Sequence, residues 1–484
     1  MNRDQSTRRG FIASAAAGSL LLANCSQTPA PTADSPSDKA ASGPADVTVR
    51  IAPVLVEIAK DHTISTIGYN GQVPAPVIRL KEGVGVTVDL FNDTDSPEYV
   101  HWHGLTIPAD VDGAPEEKSL AVPAHGHIRY RMTPQPSGAR FIHSHVMPMS
   151  DLSRGTYTGQ FGFVYIEPKN NPGGYDQEIF LATHEWEPFY TSEEEEDDPD
   201  ITPAEKARKA AEDKKNKPNG WEIGYQRFTI NGKALGFGEP VRVKEGQRVL
   251  FHILNGSATE NIQLALSGHQ FRVVALDGNP VPNPQMVDVL PLGTAERISA
   301  VVEMKNPGVW VLGTPHDDDR RDGMGIVVEY ANRAGVPRWI KPPYKTWDYT
   351  SFGESRAVPE PAETIPLVVG KINGGTGGFN RWTINGKTFD ENPTPRALQK
   401  GKRYRLVFDN QTDDSHPLHL HRNTFELTNV YGKPTAGVVK DVVLVKGYRK
   451  IEADFTPSMD GLTLFHCHQQ LHMDYGLKTL FNVA

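Results

Sequence analysis

The stretch GKRYRLVFDNQTDDSHPLHLH, residues 401–421, sets a frame that the chain uses three times. Gly401 opens it, the strand-like run Lys402 to Asp409 follows, Asn410 closes the run, and His419 and His421 stand nine and eleven residues further on. The same spacing links Gly83 to Asn92 and then His101 and His103, and links Gly246 to Asn255 and then Leu264 and Leu266. An Asn-Gly pair precedes each copy: Asn70-Gly71, Asn231-Gly232 and Asn385-Gly386. Asn-Gly between apolar runs is a hairpin signal, because both residues accept positive φ. A repeat of this kind in 484 residues, with 44 Gly and 38 Pro and almost no helical periodicity, predicts an all-β chain. Three consecutive two-sheet β-sandwiches with Greek-key connections are expected, at about 46–168, 169–337 and 338–484.

The copies differ in chemistry. The outer two carry His-x-His where the middle one carries Leu-x-Leu, and the outer two end on Phe141-Ile142-His143-Ser144-His145 and Phe465-His466-Cys467-His468. Residues two apart on a strand share a face, so each His-x-His aims two imidazoles at one place. One such pair is more often a satisfied core or surface feature than a ligand set. Here His101/His103, His143/His145, His419/His421 and His466/His468 occupy matching repeat positions, although the chain has only 17 histidines. If the first and third domains meet, eight imidazoles converge, a donor set suited to copper or zinc rather than calcium or magnesium.

Cys467 lies between His466 and His468, so its sulfur faces away from theirs. His416 and His472 can join it there, and one Cys with two His is the trigonal set of an electron-transfer copper. The chain has two cysteines, Cys25 and Cys467. An unpaired thiol in an exported protein is either buried and inert or a metal thiolate, and these neighbours favour the thiolate.

His101-Trp102-His103-Gly104, His143-Ser144-His145, His416-Pro417-Leu418-His419-Leu420-His421 and His466-Cys467-His468-Gln469-Gln470-Leu471-His472 together resemble the four motifs of the three-domain multicopper oxidases, the laccase family. The resemblance implies three cupredoxin-like domains and four copper ions. It implies a type 1 ion on His416, Cys467 and His472 and a type 2 ion on His101 and His419. The two type 3 ions would take His103, His143 and His468, and His145, His421 and His466. By the same resemblance Leu477 stands at the axial position of the type 1 ion, where it cannot donate, and Asp112 is the acid that supplies protons during dioxygen reduction. A structural turn carboxylate is the other reading of Asp112 before Gly113. Met473 stands where some bacterial members carry an acid.

Such a protein passes electrons from a small reducing substrate to dioxygen. With 9 methionines and no methionine-rich insertion, phenols and aromatic amines are the expected donors. Met147 and Met149 keep a periplasmic Cu(I) oxidase of copper tolerance as the alternative. A copper nitrite reductase would lack the paired histidines, and a copper store would lack several ligands.

The remaining features concern location. Ser6-Thr7-Arg8-Arg9-Gly10-Phe11-Ile12 before the apolar run Phe11 to Ala23 reads as a signal for the twin-arginine export machinery, followed by a linker to residue 45. A periplasmic protein is expected, with a lipid anchor at Cys25 as an alternative fate. No later run is long and apolar enough to span a bilayer. A net charge of -9 offers no basic footprint for nucleic acid. At about 190–220, an acidic run and the capping box Thr202-Pro203-Ala204-Glu205 predict a charged surface helix inserted in the second domain, with a flap over the substrate site as its functional alternative.

Overall fold

The computed structural model describes residues 43–171, 173–192, 201–213, 218–343, 345, 347–389 and 394–484. The arginine-pair segment, Cys25 and the acidic run 193–198 lie outside these residues.

The chain folds as successive β-sandwiches. In the first, a sheet ordered His62–Tyr69, Val47–Ala59, Val86–Asn92, Gly126–Met132 faces a sheet ordered Ile78–Lys81, Phe161–Glu167, Gly138–Ser144, Val100–His103. The second is built from strands between Gln177 and Tyr330, the third from strands between Glu363 and Val483. Arg338 still hydrogen-bonds along the middle sandwich, its backbone N to Val309 O, and the turn Tyr349–Phe352 packs against strand Asn279–Val287.

The repeat has a physical basis. Asn70, Asn231 and Asn385 all sit at φ 53°, each followed by a glycine at positive φ. Each side chain clamps a neighbouring strand twice: Asn385 accepts from Val368 N at 2.9 Å and donates to Pro366 O at 2.9 Å, as Asn70 and Asn231 do on theirs. The second asparagine of the frame ties the end of its strand to the segment beside the His-x-His or Leu-x-Leu strand. Asn92 donates to Val122 O, Asn255 to Leu292 O and Asn410 to Val445 O, at 3.1–3.2 Å. The strands that end on them, Val86–Asn92, Arg248–Asn255 and Tyr404–Asn410, begin one or two residues later than the sequence runs suggest. Gly83, Gly246 and Gly401, at φ 73–84°, are still turning the chain there.

Helix Pro203–Asp213 starts with the expected reciprocal cap: Thr202 N donates to Glu205 Oε2 (2.7 Å) and Glu205 N to Thr202 Oγ1 (3.3 Å). It docks on the third sandwich, with Arg208 on Gln411 Oε1 (2.6 Å) and over the Tyr448 ring, and Glu205 on Arg449. Among the described residues no helix is long and apolar enough to cross a membrane.

Candidate metal centre

Strand pairing brings the four His-x-His motifs together. In the first sandwich His101 is paired with His143, and in the third His419 with His466 and Leu418 with Cys467. The middle sandwich keeps the same strand pairing, Leu266 against Leu312, with buried apolar side chains in place of imidazoles. All eight imidazoles are buried. His101 stacks on His421 with ring centres 4.0 Å apart and His103 on His419 at 3.8 Å, so the rings from the two outer sandwiches interleave.

In six of the eight rings a hydrogen bond to oxygen fixes which nitrogen is bare. Nδ1 of His101 donates to Asp112 O (2.8 Å), His143 to Ser144 O (2.9 Å), His419 to Asp441 O (2.7 Å), His421 to Asp112 Oδ2 (2.9 Å) and His466 to Cys467 O (2.7 Å). Carbonyl and carboxylate oxygens only accept, so the proton sits on Nδ1 and the lone pair on Nε2. His103 is reversed: its Nε2 meets Asp441 Oδ1 at 3.1 Å and its Nδ1 is bare. The bare atoms crowd one space, with His421 Nε2 3.0 Å from His466 Nε2 and His143 Nε2 3.3 Å from His468 Nε2. Burial pushes His103, His143, His145, His419, His421 and His468 well below the ordinary imidazole range and His466 down to about 3, with neighbouring imidazoles adding to most of these shifts. Neutral rings with converging lone pairs are what a metal requires. Donor atoms of His101/His103/His143, His101/His419/His421 and His145/His421/His466 each lie within 4.8 Å of one another.

Cys467 faces away from this space, as alternation demands. Its Sγ is 3.7 Å from Nδ1 of His416 and 3.7 Å from Nδ1 of His472, and those two nitrogens are 3.2 Å apart. With metal–nitrogen and metal–sulfur bonds of roughly 2.0–2.3 Å, three donors at these separations can share one ion. Thr412 Oγ1 takes the Nε2 proton of His416 at 2.8 Å. Leu477 is fully buried in the same apolar cluster as Cys467, and its carbonyl accepts from Cys467 N at 3.0 Å.

Beyond His472, the Glu222 carboxylate lies 3.9 Å from Nε2, held by Asn380 Nδ2 at 3.1 Å. Burial, then the charge of Asp414, pushes Glu222 up to about 8. Aromatic rings border this edge: Phe379 stacks on Tyr475 at 4.4 Å, Tyr190 meets Phe379 edge-on at 5.4 Å, and Trp221 is 42% exposed.

Asp112 is fully buried between His101 and His421, and Glu117 lies 3.6 Å from His421 Nδ1. Burial, then the charge of Asp112, holds the Glu117 carboxyl well above its usual range. Sequence reasoning passed over Glu117, although two acids so soon after Asp112-Gly113 were a local signal. It also passed over Glu222, Thr412 and Asp441, which carry no local motif.

Three family profiles, each described as multicopper oxidase, match residues 51–171, 201–327 and 365–484, together well over half of the chain. The multicopper oxidase MmcO of Mycobacterium tuberculosis is 28% identical over 98% of this chain and 96% of its own length. The bilirubin oxidase of Albifimbria verrucaria is 25% identical over 90% of this chain and 76% of its own. The crystal structure of a multi-copper oxidase from Pseudomonas thermotolerans shares the fold, with a TM-score of 0.67 at 24% identity over 90% of this chain and 98% of that one.

Proposed function

The chain belongs to the multicopper oxidase family, and on that premise we propose that it couples one-electron oxidation of a small phenolic or aromatic-amine donor to the four-electron reduction of dioxygen to water. The observation that carries this is the tripeptide His466-Cys467-His468. Its sulfur belongs to one donor set and its two flanking imidazoles to another, so a short bonded path joins them. His416, Cys467 and His472 would hold a type 1 copper and His101 with His419 a type 2 copper. His103, His143 and His468 would hold one type 3 copper, and His145, His421 and His466 the other. Bound copper would supply the single-electron chemistry, storing four electrons for one dioxygen.

The protein's own groups have separate tasks. Glu222, on the outer edge of His472, would accept the proton a phenol loses as it gives up an electron, and Trp221, Tyr190, Phe379 and Tyr475 would offer ring faces to an aromatic donor. Leu477, packed beside Cys467, offers no donor atom and so would favour the reduced form of an ion held by His416, Cys467 and His472. Asp112, buried between His101 and His421, would pass on protons for dioxygen reduction, with Glu117 behind it as the proton store.

A cuprous-ion oxidase is the second reading. Met147 and Met149 follow the ligand pair directly and are 41% and 39% exposed, and thioethers suit Cu(I). Copper content, the red absorption of the Cys467 thiolate and oxygen uptake test the oxidase reading, and Cys467→Ser should lose the red band. Steady-state rates with a phenol and with Cu(I) decide the donor; faster Cu(I) turnover without added copper would overturn the organic reading.

Arg8-Arg9 supports export to the periplasm by the twin-arginine route, with lipidation at Cys25 as the variant fate. Replacing both arginines by lysine should leave the protein in the cytoplasm.

A further inference from the structure

Asp441 stands where three sandwiches meet. Its backbone carbonyl accepts Nδ1–H of His419 at 2.7 Å, and its Oδ1 lies 3.1 Å from Nε2 of His103, so one residue touches an imidazole from each outer sandwich. Because an oxygen acceptor holds each proton, His419 bares Nε2 and His103 bares Nδ1. Both bared atoms are buried and have no hydrogen-bond partner.

The rest of the carboxylate is gripped from the middle sandwich. Arg297 closes on it with both arms, Nη1 to Oδ1 at 2.7 Å and Nη2 to Oδ2 at 2.5 Å, and Arg140 from the first sandwich adds Nη1 to Oδ2 at 3.0 Å. Arg297 is itself held, its Nη1 on Ala295 O at 2.8 Å and its backbone N on Asp277 Oδ1 at 3.0 Å. Lys440 joins Asp277 (2.9 Å) to Glu296 (3.0 Å). Three buried cations, Arg140, Arg297 and Lys440, thus face three buried anions, Asp277, Asp441 and Glu296. Gly104, the residue after His103, makes the approach feasible: a Cβ there would lie 2.6 Å from Asp441 Oδ2 and 2.9 Å from Arg297 Nη2, and its φ is +80°.

We propose that Asp441, locked by Arg297, is a positioning residue that dictates which nitrogen His103 and His419 turn toward the three-metal cluster, making the ligand-free middle sandwich part of that cluster's support. The proposal rests on the eight imidazoles being copper ligands. A bidentate arginine holds both carboxylate oxygens in one plane; a lysine keeps the charge but grips a single point. Partners one step removed from a ligand typically change metal affinity or activity by about 10–100-fold.

The test compares the full copper-loaded chain with Arg297→Lys and Asp441→Asn. Copper per chain, the red Cys467 band, the near-ultraviolet and paramagnetic-resonance signatures of a coupled copper pair, and turnover are all read. Expected are a retained red band, fewer coppers per chain, a weakened coupled-pair signature and turnover about 10–100-fold lower at unchanged donor KM. Wild-type copper content and spectra in both variants would overturn the proposal. Nitrogen NMR of the metal-free wild-type chain with labelled histidine needs no variant to fold: His103 should carry its proton on Nε2 and His419 on Nδ1, and the opposite form at His103 would also overturn it. A wild-type chain that takes up no copper would instead sink the ligand reading, leaving the NMR result to decide the role of Asp441.

Discussion

The Nε2 atoms of His421 and His466 lie 3.0 Å apart, and the hydrogen bonds of both rings put the proton on the opposite nitrogen. Two lone pairs therefore face each other in a buried space, and a cation between them turns repulsion into ligation. Copper should raise the melting temperature of the metal-free chain and chelation should reverse the rise. Free metal at a thousand times Kd adds about 4 kcal/mol of stability. Scanning calorimetry with and without copper measures it, and coincident transitions would contradict the reading.

Thr412 makes a narrower prediction. Its hydroxyl donates to Asn410 Oδ1 at 2.8 Å and so offers its oxygen to the Nε2 proton of His416. Thr412→Val leaves that buried N–H without a partner and should cost about 1–3 kcal/mol in denaturant unfolding, whereas Thr412→Ser keeps the acceptor and should cost much less. Equal losses in the two variants would assign the effect to packing.

These two sites mark the limit of what the sequence discloses. The Asn-Gly turns, the repeated asparagines and the alternation that sends Cys467 away from His466 are local chemistry, so three sandwiches and eleven candidate ligands can be read from spacing. The cap on helix Pro203–Asp213 is equally local, but its partners Gln411, Tyr448 and Arg449 are not. Asp441 meets Arg140 and Arg297 across 301 and 144 residues, and Glu222 reaches His472 only after two domains have docked. No period or motif marks such single residues, because their positions follow from tertiary packing.

Glu222 links pH to the donor. As a base it must be ionised, and its carboxyl is pushed up to about 8, chiefly by burial. The kcat/KM for a phenol should therefore climb as pH rises toward 8. Glu222→Gln should abolish that limb and lower kcat/KM by about 100-fold, the size of a lost general base. An unaltered profile in the variant would send the phenol proton elsewhere.

Glu185, in the middle sandwich, makes a stability prediction. Burial pushes its carboxyl up to about 8 against the help of the Ser257 hydroxyl, and Glu260 beside it is raised to about 8 by burial and then by the charge of Glu185. In the unfolded chain a glutamate titrates near 4.5. Between those values the folded chain holds a proton that the unfolded chain has released, so stability is greatest below about 4.5 and falls as pH rises toward 8. Each such group contributes a slope of at most about 1.4 kcal/mol per pH unit. Glu185→Gln removes one slope and lowers the charge felt by Glu260. The variant should gain stability over the wild type as pH rises from 5 to 9, read as urea unfolding at each pH. A difference that is flat with pH would mean that Glu185 is ionised in the folded protein.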